Sequence, residues 1–570
     1  MSLIGALTTG QSALATAQAS IQVIGNNISN AGNANYSEET TQVTEATDQQ
    51  IQPGVYVGTG VDLTGIQRQV DDALDSRLNS STSDSQAAQT TEQWLTQVQS
   101  TFNALNSGSL SSSMSSFFNS WSTLANSPQD AGQRAVVIQQ GQALAQQFSS
   151  TQQQLVGLSS SVATDLGTQV QQADTLASQI ASLNGQVAAS SAGGAGGSNS
   201  LLDQRDAAIS QLSNLMKVNT QKQPDGSINV YVGSQPLVVG TVSNGVSLKN
   251  QDVNGVTTPT VVFTSNSGAM PISGSGQLGA MSDMQARISG VVDQLDSLAH
   301  NVISQVNQVY SSGQGLQGFT SVTAANTVID TTQPLDSSAA GLTFAPTNGS
   351  FVVHVTDPTS GATTSTLVQV NLTGSASDTT LDSLTSSLNA ISGVSATDVG
   401  GKLKITSTDS SQQITFSQDS SGTLAALGVN TFFTGTDASD MGINSTVSSN
   451  PQLLAAAQNG DAGDNQTAVA ISNLATQPIA TLNGQSLNDS YQSMINGVST
   501  QLATATSDAT AAQSIQQTLQ AQRDSVSGVS MDDEAIQLMK QQQAYQGAAQ
   551  LINVVNTLMQ TVIGLATTVA

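Results

Sequence analysis

The sequence predicts a mainly α protein: a long helical rod, coiled-coil helices at both termini, and an inserted β-rich, α+β domain facing outward. Three observations predict this. Apolar residues recur at heptad spacing at each end, helical spacing runs through most of the interior, and between about 320 and 440 the pattern changes to β-branched residues alternating with polar ones. Five segments follow along the chain: an N-terminal helix and its following segment (1–62), a helical rod part with a β-hairpin (63–319), the β-rich insertion (320–440), returning rod helices (441–530) and a C-terminal helix (531–570).

The N-terminal helix rests on two rows. Leu7, Leu14, Ile21 and Ile28 are seven apart, and Leu3, Gly10, Ala17 and Ile24 lie beside them, an a/d seam over roughly four heptads. Gly10 and Ala17 allow another helix to approach closely, and the Asn/Gly cluster from Asn26 to Asn35 stops the run. At the other end Leu538, Tyr545, Ile552 and Met559 form one row, Leu551, Leu558 and Leu565 a second, and Ala548, Val555 and Val562 a third. So wide an apolar face exceeds what one partner helix covers. The first row at each end is therefore expected to face neighbouring subunits, with both ends ordering only on assembly. Asp532, Asp533 and Glu534 follow Ser530 and place negative charge in the first helical turn, where the dipole favours it.

In the interior, Trp94, Val98, Phe102 and Leu105 mark a helix over 70–105. Phe148, Leu155, Leu158, Val162 and Leu166 mark another over 134–187, and Ile288, Val292, Leu295, Val302 and Val306 a third over 281–310. Ser190–Ser200 reads as a flexible connection. Its Gly193–Gly197 run lacks the Gly-Lys-Ser/Thr of a phosphate loop. A helix opens at Leu201, and Asp225-Gly226 turns into strands at 228–232 and 237–239. In the insertion, 351–355 and 367–372 read as strands, Leu381, Leu384, Leu388 and Ile391 as a short helix, and Gly400-Gly401 as the turn between two more strands.

Composition narrows the function. Charged residues make up 9% of the chain and aromatics 3%, while 37% is apolar at ordered spacing, which fits a folded protein with a neutral polar surface. Lys and Arg total 12 against 38 Asp and Glu, a formal charge of −26 without a basic cluster, so nucleic acid is not an expected partner. Cysteine is absent, which removes disulfides and thiolate metal sites. No cation precedes Arg68, so the N-terminus lacks a signal peptide's basic region, and no membrane span is expected.

Catalytic chemistry finds no foothold in the pattern. His300 falls in a helix and His354 in a strand, without a metal-ligand spacing around either. Asp203, Arg205 and Asp206 occupy successive positions that do not share one helical face, and read as a surface ion-pair set. No enzyme activity, metal or cofactor is expected.

The segment Gly25-Asn26-Asn27-Ile28-Ser29-Asn30, after a helix beginning at Ser2-Leu3, is similar to the Asn-Asn signature of the flagellar axial proteins, the rod, hook and hook-associated family. Tyr36-Ser37 stands where hook-associated members carry Tyr-Ser. Val57–Arg68, Ser527–Ala535 and Gln541–Gln546 resemble further family segments, and the helix-then-hairpin part after Leu201 resembles the hook-associated interior. Asn33-Ala34-Asn35 replaces the family's usual Thr-Pro-Gly, and Glu38 stands where a basic residue is usual. The resemblance implies a structural component of the bacterial flagellum joining hook to filament. It implies export as an unfolded chain without a cleaved signal peptide, an export chaperone, self-association in a helical junction layer, and contact with hook protein and hook-associated protein 3. Another axial protein (hook protein or hook-associated protein 3) is the alternative, and a secreted adhesin a more distant one.

Overall fold

A computed structural model describes residues 3–102, 108–191, 198–253, 256–461 and 463–568. The chain opens with α1 (Leu3–Asn30) and four strands, β1 (Glu39–Glu45), β2 (Gln49–Gln52), β3 (Val55–Val57) and β4 (Val61–Arg68). Then come α2 (Asp72–Phe102), α3 (Leu110–Asn126), the 61-residue α4 (Ala131–Ser191) and α5 (Asn199–Leu215). Six strands follow, β5 (Asn219–Lys222), β6 (Ile228–Val232), β7 (Gln235–Val239), β8 (Val242–Ser243), β9 (Val246–Val253) and β10 (Val256–Phe263), and then α6 (Gly276–Ser311). The next stretch holds β11 (Ser321–Thr323), β12 (Gly349–Thr356), β13 (Thr363–Val370), α7 (Leu381–Asn389), β14 (Val394–Asp398), β15 (Leu403–Ser407), β16 (Gln413–Ser417) and α8 (Thr423–Leu427). After β17 (Phe433–Thr434), β18 (Gly442–Ile443), α9 (Ser445–Ser449) and α10 (Gln466–Asn473), the chain returns through α11 (Leu487–Ser527) and α12 (Met531–Thr568).

Long helices with several small antiparallel sheets match the expected class. The chain forms two compact units: Met1–Gln93, Val162–Met284 and Thr504–Ala570 in one, Trp94–Ser161 and Gln285–Ala503 in the other. These boundaries fall inside α2, α4, α6 and α11 and do not coincide with the five segments of the sequence reading. Leu105 and the Gly193–Gly197 run lie outside the described residues.

In the first unit β5 to β8 form a four-stranded sheet in sequence order, and Arg205 ties it to the helices. Arg205 is buried, donates to the carbonyl of Gly226 at 2.7 Å, and leans on Asn184, whose amide bonds Ile228 and Gly240. The expectation of a surface ion-pair set at 203–206 is therefore corrected for Arg205 and Asp203. Both are tucked in, because successive helical positions point to different neighbours and these two point inward.

The second unit has an aromatic centre. Phe117, Phe118 and Trp121 on α3 meet Tyr310, Phe432 and Phe433 at ring separations of 4.8–6.3 Å, mostly tilted or edge-to-face. A Cβ on Gly141 would stand 2.6 Å from the Phe432 ring, so only glycine lets α4 approach this cluster. Residues 319–429 build a separate hydrophobic core. Phe351, Val353, Ile405, Ile414 and Phe416 from two three-stranded sheets, ordered β13-β12-β16 and β11-β15-β14, enclose Leu381, Leu384 and Leu388 of α7. Thr380 and Ser383 form a reciprocal capping box that starts α7. Both histidines lie in this unit: His300 stacks on Phe344 and His354 bridges Ser365 and Ser417 across three strands.

Candidate assembly site

The two terminal helices, α1 and α12, pack along one another within the first unit. Gly10 makes the approach possible, since a Cβ there would lie 2.9 Å from Ile552 Cγ1. Ala17 and Ile24 continue the buried row on α1, and Glu534, Ala548 and Val555 are its counterparts on α12. The sequence reading had both ends ordering only on assembly; in the single chain each terminal helix already has a partner.

This changes the role of the predicted interface rows. Leu7, Leu14, Ile21 and Ile28 are half-buried along the edge of the seam, and so are Leu538, Tyr545, Ile552 and Met559. Ile552 packs against Gly10. The exposed apolar face of α12 is instead Leu551, Val554, Leu558, Val562 and Leu565, with Leu558 49% exposed. At 100° per residue these five fall on one narrow stripe, about a quarter-turn from the buried row. A helical stretch ending at Leu565 reaches a mean hydropathy of 1.3 over eighteen residues, long and apolar enough to cross a membrane. The sequence reading missed it, because Asn553, Asn556 and Gln560 interrupt the run.

At the C-terminal end of α1 the signature residues close a buried latch. Asn27 is 1% exposed and uses all four of its hydrogen-bonding positions. Its Nδ2 donates to the Glu39 carbonyl (2.9 Å) and to Glu534 Oε1 (2.7 Å). Its Oδ1 accepts from the Tyr36 hydroxyl (2.7 Å) and the Glu39 N–H (3.0 Å). Asn26 is exposed and donates to the Tyr36 hydroxyl at 3.2 Å, and Ser37 is buried beside it. One amide therefore joins the end of α1, the 36–39 turn and the first turn of α12. The Glu38 N–H donates to the Ser527 carbonyl (2.9 Å), and Arg523 Nη1 donates to the Ala34 carbonyl (2.9 Å), so α11 is fastened to the same turn.

A second fastening was invisible in the sequence. Arg68, at the end of β4, reaches Asp203 (2.6 Å) and Asp206 (2.8 Å) on α5 with its side chain 7% exposed. On the Arg68 side the two carboxylates outweigh burial and raise its pKa. On the Asp203 side burial outweighs the cation, and its pKa is also raised. The pair is well bonded but carries a desolvation cost.

Glu38 has a distinct electrostatic consequence. Burial, then the Glu534 and Asp533 carboxylates, raise its pKa above the ordinary 4.5, and burial with Asp533 raises that of Glu534 despite the Asn27 bond. Groups shifted up in the folded state contribute stability that is complete below the ordinary value and lost as pH rises through the shifted one. The Glu38→Lys variant is expected to melt about 2 °C higher near neutral pH and to show a smaller gain on mild acidification. Calorimetry across the acid range checks this, and a variant that melts lower at neutral pH would contradict the repulsion.

Residues 95–325 match the flagellar hook-associated protein FlgK helical domain, and residues 520–565 match the flagellar basal body rod FlgEFG protein C-terminal family. Flagellar hook-associated protein 1 of Escherichia coli K12 aligns at 26% identity over 98% of this chain and 99% of its own length. The chain is thus similar to flagellar hook-associated protein 1 over nearly its whole length. Its counterpart in Salmonella typhimurium is 31% identical over a shorter alignment, 28% of each chain. The flagellar hook junction protein FlgK from Burkholderia pseudomallei shares the fold, with a TM-score of 0.52 and 17% identity, covering 79% of this chain and all of that one. The rod-family match covers the stretch of α12 that carries the exposed stripe, and the hook-associated match spans parts of both compact units. Matched by two flagellar family models and along its length by a flagellar hook-associated protein, the chain is a flagellar structural protein of the bacterial flagellum.

Proposed function

We propose that this protein is the structural subunit joining hook to filament, and that it associates with copies of itself through the exposed stripe of α12. The observation that carries this reading is what α12 holds along its length: a fully bonded latch fixes its first turn on α1, and from Leu551 onward it carries an apolar row that stays exposed. An exposed apolar stripe in water favours burial, at roughly 25 cal/mol per Å² of apolar surface covered. Few charges line it, so association carries little ionic desolvation. Hook protein and hook-associated protein 3 are the expected neighbours along the axis, the chain crosses the export channel unfolded and without a cleaved signal, and an export chaperone keeps the apolar ends apart beforehand. The absence of cysteine suits that passage. A deletion strain tests the function: it should keep its hooks, lose its filaments and release unpolymerised filament protein into the medium. Normal filaments in that strain would contradict the reading.

The 320–440 segment is the outward-facing insertion in this account, and the separate core of residues 319–429 supports it. Residues 318–440 expressed alone should give one cooperative, β-rich thermal transition. A chain that stays unfolded under native conditions would contradict the insertion.

A further inference from the structure

Asparagine followed by glycine is the chemically weakest amide pair in a protein, because the glycine N–H can reach the neighbouring side-chain carbonyl without steric hindrance. The sequence contains seven such pairs, and the fold treats them unequally. Asn184 is held by the Ile228 and Gly240 backbones. Asn244 donates to the Pro236 carbonyl at 2.8 Å, and the Gly245 N–H is engaged by Ser243. Asn348 Oδ1 accepts from the Leu372 N–H at 3.1 Å, at the start of β12. The Gly484 N–H after Asn483 donates to the Ile479 carbonyl at 2.9 Å, and Asn496 lies inside α11. Asn254 lies outside the described residues.

Asn459 differs from all of these. It is exposed, its side chain makes no hydrogen bond among the described residues, and the Gly460 N–H donates to none of them. We propose that Asn459 is a site of spontaneous deamidation in the folded protein. The Gly460 nitrogen attacks Asn459 Cγ and loses its proton, the Cγ–Nδ2 bond breaks, and ammonia leaves. Water then opens the resulting succinimide at either carbonyl, giving aspartate or isoaspartate and one further negative charge. No oxidant, reductant or enzyme enters the balance.

The loop explains why so fragile a pair stands there. Gly460 has φ +75°, a left-handed backbone conformation that favours glycine. The reaction also has a structural consequence. The Gln458 and Asn459 N–H groups both donate to Asp464 Oδ2 at 2.7 Å, and Ala457 exchanges backbone bonds with Gln314. A new carboxylate at 459 adds negative charge to a residue whose own N–H is bonded to Asp464, and isoaspartate lengthens the backbone between that bridge and α10. In a subunit that is not replaced after assembly, the product would accumulate with age.

The test is to hold the full-length protein at mildly alkaline pH and map the amide-to-acid mass gain by peptide analysis, with isoaspartate methylation as a second readout. Asn459 is expected to convert first among the six described pairs, about tenfold faster for each hydrogen bond that must open at a competing site. Asn459→Gln should abolish that signal and leave the others unchanged, because the longer side chain closes a less favourable ring. In urea the preference should disappear. Earlier conversion at another described pair, or the same preference in the unfolded chain, would overturn the proposal.

Discussion

Leu558→Asp is expected to abolish incorporation of the chain into flagella while leaving its own melting curve unchanged. Leu558 sits mid-stripe between Val554 and Val562 and is 49% exposed in the single chain, so the new carboxylate is solvated there and perturbs little. In an assembly that covers the stripe, the same carboxylate loses its water without gaining a counter-ion. The cost is several kcal/mol, or the group takes up a proton, and it recurs in every subunit. The comparison is Ile552→Asp. Ile552 faces Gly10 across the α1–α12 seam, so that variant is expected to loosen the helix pair within one molecule and lower the melting temperature of the first unit. Calorimetry of the purified variants, complementation of a non-motile deletion strain and separate measurement of secretion distinguish the two. Normal swimming by a Leu558→Asp strain would sink the exposed-stripe assignment.

Arg68→Ala should cost about 3–5 kcal/mol of the first unit's stability. The loss is large because the guanidinium neutralises two carboxylates at once, and Asp203 is nearly enclosed, with 12% of its side chain exposed. Burial already raises the Asp203 pKa with the cation in place, and removing the cation raises it further. The sign of the pH dependence follows. A carboxyl whose folded pKa is raised stabilises the fold when protonated, so the variant should be least stable at neutral and alkaline pH and recover part of the loss on acidification. Asp203→Asn in the Arg68→Ala background should restore part of the stability at neutral pH, since it removes the unpaired buried charge. Urea unfolding of the three proteins measures this. A loss under 1 kcal/mol would mean that the pair behaves as an exposed ion pair.

The helical character of both ends was legible in the sequence, because heptad spacing survives any surrounding. Which row faces which neighbour was not. Leu538, Tyr545, Ile552 and Met559 look no different in the sequence from Leu551, Leu558 and Leu565, and the choice depends on Gly10 opening one side of α1 to a helix more than five hundred positions away. The Asn-Asn and Tyr-Ser signature was recognisable as a pattern, but its physical content, one amide satisfied four times, needs the Glu39 backbone and Glu534 in place. Arg68 and its two aspartates are separated by 135 and 138 residues, so no local pattern announces them. The strands β1 to β4 were missed because Glu39–Glu45 and Gln49–Gln52 are largely solvated and carry no alternation of polar and apolar residues. The Ser-rich α3 was passed over although Leu110, Met114, Phe117, Trp121 and Leu124 keep a three-to-four spacing and are buried. The strands of the 320–440 segment were legible for the opposite reason: burial alternates strictly along Phe351 to Thr356.

The central claim is that the α12 stripe is solvated in the free chain and covered in the flagellum. The chain contains no cysteine, so Leu558→Cys provides a single thiol whose accessibility can be read directly. Labelling with a maleimide should be rapid on the purified protein and strongly suppressed on intact hook–filament preparations, and should return when these are depolymerised. Equal labelling in the free and assembled protein would mean that the stripe stays open to water, and the account would be wrong.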